Sequence, residues 1–362
     1  MNNSDQILSL LPQHIRPILQ ELEKNIQNLE SRCDSAVNYN TSYPCSYPYK
    51  DIVHLIKHNL FLGGKRMRPI LFFLFCDLFK LDLNENQDLL AYARSIEYVH
   101  LATLCHDDVI DNATTRRGKP SLNVVSSNKK AILSGDYLLA EVIANLAAQK
   151  NLEIIHALSE VIRELTVGEW MQLNVEVNLK EANKVPSPEQ ILEIIEKKTA
   201  SLITYCCTTP ALLAKVPAKI LDVAKDFGKN LGTAFQLIDD ILDFSTTNIH
   251  TLTTVQNETT NFVLVQLLSL DSSYLPLLHS QSEQFQTNYA QHKFKQTLDK
   301  AISNTEELAL EKTMLANKSL DELFNKLCEE PDVKINEKSR SYNQLAYHSL
   351  KTFTQHLLSR KT

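Results

Sequence analysis

The chain has 362 residues, a formal net charge of −6 and an isoelectric point near 6.0. Hydrophobic residues make up 43% of it, enough for one large core or two ordinary domains and too many for a chain disordered throughout. The acidic balance excludes the broad basic face that nucleic acid requires, so no nucleic-acid partner is expected, although a local basic pocket is still allowed.

The first residues, "MNNSDQILSLLPQHIRP", are polar with a proline-broken apolar patch and do not read as a signal peptide. An N-terminal helix is expected over about residues 14–32, followed by a loop over 33–49 rich in Ser, Asn, Tyr and Pro. Residues 1–49 are therefore set apart from a main domain over 50–362. The apolar run "ILFFLFCDLF" at 70–79 is interrupted by Asp77, and no apolar run reaches the roughly 18–20 residues a membrane-spanning helix needs. Residues 88–105 repeat at helical period and put Leu89, Leu90, Ala93, Ile96, Val99, Leu101 and Leu104 on one broad face. A loop is expected over 178–190, with Ser187 capping the next helix. "ILEIIEKKTASLITYCC" and "ILDVAKDFGKNLGTAFQLIDDILDF" also read as helices. Residues 245–260 are polar and Thr-rich, and the helical C-terminal third breaks near "EEPDVKINEKS". All seven glycines lie at or before Gly232, which argues against strand-and-turn architecture; no strand run and no solenoid repeat stands out. Seven scattered cysteines without a C-x-x-C pattern read as buried thiols in a reducing compartment, so a soluble, cytoplasmic, all-α protein is expected.

Two short segments carry the chemistry. In "HDDVID", Asp107 and Asp111 are four apart and share one helix face, with Asp108 beside them. In "DDILD", Asp239 and Asp243 repeat the arrangement, with Asp240 beside them. Carboxylates this close repel unless they are solvated, paired with cations or holding a metal. Oxygen donors with open positions suit Mg²⁺, which shares its shell with water and phosphate. Arg116 and Arg117 follow the first cluster and suit phosphate oxygens. Upstream, "GGKRMRP" gathers Lys65, Arg66 and Arg68 behind two glycines that let backbone approach an anion. This is not a Walker A loop. A basic clamp with an acidic metal site implies a diphosphate substrate bridged by Mg²⁺.

Taken in order, "GGKRMRP", "SIEYVHLATLCHDDVIDNATTRRGKPSLN", "LSGDYLLAE", "GEWMQLN", "EKKTASLI" and "GTAFQLIDDILDF" resemble the trans-polyprenyl diphosphate synthases, over about residues 50–245. The resemblance implies the isoprenoid synthase fold, a large antiparallel helical bundle around a central apolar cavity. It implies that Lys65, Arg68, His100 and Arg117 bind isopentenyl diphosphate. Asp107 and Asp111, with Asp108 nearby, would hold Mg²⁺; so would Asp239 and Asp243, with Asp240 adjacent. Arg116, Lys198, Thr199 and Gln236 would surround an allylic diphosphate of farnesyl or geranyl type. About three Mg²⁺ ions are implied with substrate bound. Ala102 and Thr103, one turn before Asp107, are small and imply an open tunnel and a long all-trans product, with Tyr98 as a deeper floor. A homodimer, a role in quinone side-chain supply and at most transient membrane contact are also implied. The family continues past its second aspartate cluster with lysines, whereas this chain reads "STTNIHTLTTVQNETTNFVLVQ" and its next lysine is Lys293. That departure keeps open an alternative, a weakly active or non-catalytic subunit of a heteromeric synthase.

Overall fold

The computed structural model describes residues 11–27, 48–59, 65–82, 87–116, 118–245, 260–278, 288–329 and 337–358. These fall into two compact units, one drawn from Met1–Ala157 and Ile335–Ser349, the other from Leu158–Lys334 and Leu350–Thr362.

In the first unit, α1 (Ile15–Gln27) presents Ile15, Leu19, Leu22 and Ile26 as a buried stripe. Each such side chain contributes about 1.5–3 kcal/mol by leaving water. After α2 (Pro48–Asn59), α3 (Met67–Leu78) buries every residue from Pro69 to Leu78. Helix α4 (Gln87–Ile110) packs against α1 and α3. It also meets the short α5 (Leu122–Val125) and the long α6 (Asn128–Ala148), which in turn packs on α2. Because neighbours surround α4, it is not amphipathic as the periodicity predicts: residues 91–99 are all buried. Two of its buried polar side chains bond within the protein. Arg94 Nη2 donates to Asn145 Oδ1 at 2.7 Å, and Ser95 Oγ donates to the Ala91 carbonyl at 2.9 Å.

Two sequence expectations need correction in this unit. A two-residue antiparallel hairpin, β1 (Thr115–Arg116) with β2 (Lys119–Pro120), interrupts the helices, turning at Gly118 with φ 75°. Helix α6 is also long and apolar enough to cross a membrane, by length and composition only. The sequence reading missed it because Lys129, Lys130, Asp136 and Glu141 break the apolar run that the eye follows.

Helix α7 (Leu152–Ala182), which enters the second unit at Leu158, runs further than expected, so the predicted 178–190 loop shrinks to 183–187. Ser187 then starts α8 (Pro188–Ile195) with a complete capping box: Gln190 N donates to Ser187 Oγ at 3.3 Å and Ser187 N to Gln190 Oε1 at 2.9 Å. A single π-helical turn, Glu196–Ala200, leads into α9 (Ser201–Leu213). Helix α10 (Ala218–Ser245) packs on α9, on the π turn and on α12 (Asn288–Glu329). Two glycines permit this approach. A Cβ on Gly228 would lie 2.5 Å from Thr204 Cα, and one on Gly232 would lie 2.5 Å from Ala200 Cα. Helix α11 (Phe262–Leu270) fills the core with Val263, Leu264, Leu267 and Leu268 against Ile241, Phe244 and Phe294. A 3₁₀ segment, Ser272–Leu278, precedes α12, and α13 (Glu337–Leu358) ends the described chain. The all-α expectation holds apart from the hairpin.

Among the described cysteines, Cys76, Cys105, Cys206 and Cys207 are buried thiols outside any disulfide, as expected, whereas Cys328 is exposed. Cys33 and Cys45 lie outside the described residues, as does most of the predicted 33–49 loop.

Candidate active site

The first acidic cluster closes α4. Asn112 adopts the left-handed conformation at φ 51°, and Ala113 N returns to the Asp108 carbonyl at 3.0 Å, so the helix stops sharply. Asp107 and Asp111 stand one turn apart, with Asp111 N donating to the Asp107 carbonyl at 2.8 Å. Asp107 is half-buried and Asp111 exposed. Asp108 turns the other way. It is 1% exposed, and Arg116 Nε donates to its Oδ1 at 2.6 Å. Asn123 Nδ2 donates to the Asp108 carbonyl at 3.0 Å and to the Ala113 carbonyl at 3.1 Å. Asp108 and Arg116 thus pin the hairpin to the end of α4. Arg117 lies outside the described residues.

His106 docks α4 on α6. Its Nε2 lies 3.2 Å from the Ile132 carbonyl and 3.4 Å from Asp136 Oδ1, and its ring covers Gly135, where a Cβ would come within 2.3 Å. Burial pushes the Cys105 thiol up to about 12, with Asp108 adding to the rise and Arg116 opposing it, so the thiol is inert packing.

Of the basic segment, Lys65 and Arg68 are half-buried, and the two glycines lie outside the described residues. Arg66 does not join a phosphate clamp. Left-handed at φ 48°, it turns its guanidinium to Glu23 of α1, at 2.9 and 3.1 Å, and to Glu97 of α4, at 2.6 Å. Burial alone would lower its pKa, but the bond to Glu23 and the charges of both carboxylates raise it. The three groups tie α1, α3 and α4 together. On α4, His100 is half-buried and its carbonyl accepts from Thr103 Oγ1 at 2.9 Å; Thr103 is half-buried, while Ala102 and Tyr98 are buried.

The second unit brings the predicted residues closer together. Lys198, Thr199, Gln236, Asp240 and Asp243 line one cavity of about 180 Å³, joined there by Gln172 and Asn261. The π turn aims this set: its extra residue widens the helix where Lys198 and Thr199 sit, a frequent arrangement at functional sites. Gly168 of α7 makes room for it, since a Cβ there would lie 2.8 Å from Lys198 Cγ. Lys198 Nζ lies 2.5 Å from Glu169 Oε2 and donates to Gln172 Oε1 at 2.6 Å. Thr199 Oγ1 donates to Gln236 Oε1 at 2.8 Å, and Gln236 Nε2 to Asp240 Oδ1 at 2.9 Å. The other Asp240 oxygen accepts from Phe262 N at 2.8 Å. Burial pushes the Asp240 carboxyl up to about 7; those two donors pull it down, and Asp243 and Asp239 push it up again. Asp243 is exposed; partial burial and the charge of Asp239, half-buried one turn earlier, raise its pKa, while Asn261 lowers it.

Asn261, Glu169 and Gln172 were not singled out from the sequence. Glu169 and Gln172 sit in the quoted "GEWMQLN", where their spacing puts both on one side of a helix. Asn261 follows the Thr-rich stretch with no local signal beyond a helix cap. Its Oδ1 accepts from Val263 N at 2.8 Å.

Among the described residues, no group of three or more His, Cys, Asp or Glu side chains is placed to cage a metal by itself. Pairs of carboxylates nonetheless fit Mg²⁺, a hard ion that takes one or two protein carboxylates and completes its shell with water and phosphate oxygens. Desolvation first, and then the charge of Asp239, raise the Asp243 pKa, and a divalent cation beside the pair would offset both. Asp107 with Asp111, and Asp239 with Asp243, are the pairs that could hold it.

The described residues thus form a mainly helical fold with carboxylate pairs one turn apart at the ends of α4 and α10, the second pair beside a lysine-bearing cavity. The polyprenyl synthetase family model matches residues 50–304, and the chain belongs to that family. It is 35% identical over 228 residues to a decaprenyl-diphosphate synthase of Dictyostelium discoideum, covering 62% of this chain and 48% of that protein. It is 34% identical over 230 residues to a prenyl transferase of Cyanidium caldarium, covering 64% of this chain and 67% of that protein. The chain thus spans about half the length of the Dictyostelium relative. The crystal structure of a decaprenyl diphosphate synthase from Rhodobacter capsulatus superposes with a TM-score of 0.71 at 22% identity, over 95% of this chain and 99% of that one, a likeness of fold.

Proposed function

We propose that the chain is a Mg²⁺-dependent prenyltransferase that condenses isopentenyl diphosphate with an allylic diphosphate to build a long-chain all-trans polyprenyl diphosphate. The observation that carries this reading is the cavity in which Lys198, Thr199, Gln236, Asp240 and Asp243 converge. Its groups suit a diphosphate: an ammonium, a hydroxyl and a carboxamide for oxygen atoms, and carboxylates for the ions that accompany them. Bound Mg²⁺ would supply Lewis-acid neutralisation of the departing diphosphate. Glu169 and Gln172 hold the Lys198 ammonium at the cavity, where it offsets charge that grows as the allylic carbon–oxygen bond breaks. The double bond of isopentenyl diphosphate then attacks the allylic cation, and a proton leaves to the departing diphosphate. Lys65, Arg68 and His100, with Arg117, are assigned to isopentenyl diphosphate. Arg116 is assigned to the allylic diphosphate through the guanidinium nitrogens it does not use on Asp108. Buried Ala102, with Thr103 and Tyr98, is assigned to product length.

A homodimer accords with apolar side chains left exposed on α6, where Ile143 is 62% exposed, and on α7, where Trp170 is 69% exposed. Membrane contact would be transient, limited to unloading of an apolar product. A second reading, a weakly active subunit of a heteromeric enzyme, is favoured by one observation: between Asp243 and Lys293 the chain has no lysine or arginine to face a leaving diphosphate.

Turnover of Asp107→Ala and of Asp239→Ala with Mg²⁺ tests the proposal. Each is expected to lose about 10²–10³-fold or more, the magnitude seen when a charge-stabilising group is removed from such a site. Unchanged turnover in both would remove the carboxylate pairs from the chemistry.

A further inference from the structure

We infer that Asn261 is the positioning residue of the second carboxylate pair, an inference that rests on the metal-dependent reading above. Asn261 is 4% exposed and follows a segment that offers no cation. Its carboxamide is shared three ways. Oδ1 accepts from Val263 N at 2.8 Å and caps α11. Nδ2 donates to the Asp240 carbonyl at 3.0 Å and to Asp243 Oδ2 at 3.3 Å. The next residue donates its backbone N–H to Asp240 Oδ2 at 2.8 Å. The start of α11 is thereby locked to the end of α10, and the Asp243 carboxylate, which lines the cavity and is itself exposed, accepts a hydrogen bond from a side chain outside its own helix.

A carboxylate on an exposed helix end samples several rotamers, and holding an ion then requires ordering it first. A neutral donor on one oxygen fixes the rotamer without competing for the ion, as a lysine there would. Groups that orient a metal ligand in this way change metal affinity by about 10–100-fold when removed. Asn261 supplies this orientation in a chain whose segment between the two helices carries no lysine.

The test is Mn²⁺ binding to the full chain, followed by electron paramagnetic resonance with inorganic pyrophosphate present, for the wild type, Asn261→Ser, Asp243→Asn and the double variant. Serine retains a capping oxygen but cannot reach Asp243. Asn261→Ser is expected to weaken Mn²⁺ binding about 10-fold or more while melting as a folded protein, and to have no further effect in the Asp243→Asn background. Should Asn261→Ser be unfolded at the assay temperature, Asn261→Thr replaces it, with the same expectation. A folded variant that binds Mn²⁺ as the wild type does would overturn this inference and leave the proposed function standing, as would an equal further loss in the Asp243→Asn background. A wild-type chain that takes up no Mn²⁺ with pyrophosphate would overturn both.

Discussion

Asp77 illustrates how much a single buried carboxyl can reveal. It lies in the apolar α3, with His14 Nε2 3.1 Å from its Oδ2. Burial raises its pKa from 3.8 to about 6, and His14 opposes part of the rise. The folded chain thus keeps a proton on Asp77 at pH values where the unfolded chain has released it. The stability this gives is fully present below about pH 4 and is lost as pH rises through about 6. Asp77→Asn can keep the contact to His14 without titrating. The melting temperature of the wild type, measured relative to Asp77→Asn, is therefore expected to fall between pH 4 and pH 6. Parallel curves would contradict the shift. Residue-level roles were the least legible part of the sequence. Arg66 and Arg68 look alike in "GGKRMRP", and only the carboxylates of Glu23 and Glu97 distinguish them, one of which comes from a helix 43 positions away. Asp108 and Asp107 are neighbours in the chain, but a helix turns consecutive side chains about 100° apart, so one binds inward to Arg116 and the other faces out.

At the scale of elements, the π turn and its glycines govern the second unit. Ala200 Cα lies 2.5 Å from where a Gly232 Cβ would stand, so the backbone of the π turn meets that of α10. Gly232→Ala must part the helices, at a cost of about 1–3 kcal/mol in urea unfolding, and the movement displaces Thr199 from Gln236. Pyrophosphate affinity is expected to fall together with stability; a variant that unfolds like the wild type would show that the contact has slack. Helices were readable over residues 88–105, 191–207 and 220–244, because long apolar periodicity and capping signals such as Ser187–Gln190 are local. The surroundings of a helix are not local. Helix α4 shows an amphipathic pattern but is buried around its middle because helices on several sides enclose it, and its Arg94 and Glu97 escape notice because their partners, Asn145 and Arg66, are distant in the chain. The hairpin after α4 was invisible for the opposite reason: two residues per strand carry no periodicity.

For the whole molecule, the two D-D-x-x-D segments made the family readable before any coordinate. Charge repulsion between like carboxylates one turn apart asks for an explanation, and two such pairs ask for a shared one. Assembly is open to direct test. Ile143→Asp places a charge on the exposed apolar face of α6 and is expected to shift the chain from dimer to monomer by sedimentation; an unmoved monomer in the wild type would remove the homodimer proposal. The central claim is best tested by incubating the purified chain alone with Mg²⁺, farnesyl diphosphate and labelled isopentenyl diphosphate, and separating the dephosphorylated products. A ladder ending at one long species is expected, shortened when Ala102 is replaced by phenylalanine. A folded chain that binds Mg²⁺ and diphosphate but incorporates no label would contradict it and point to a subunit that needs a second chain.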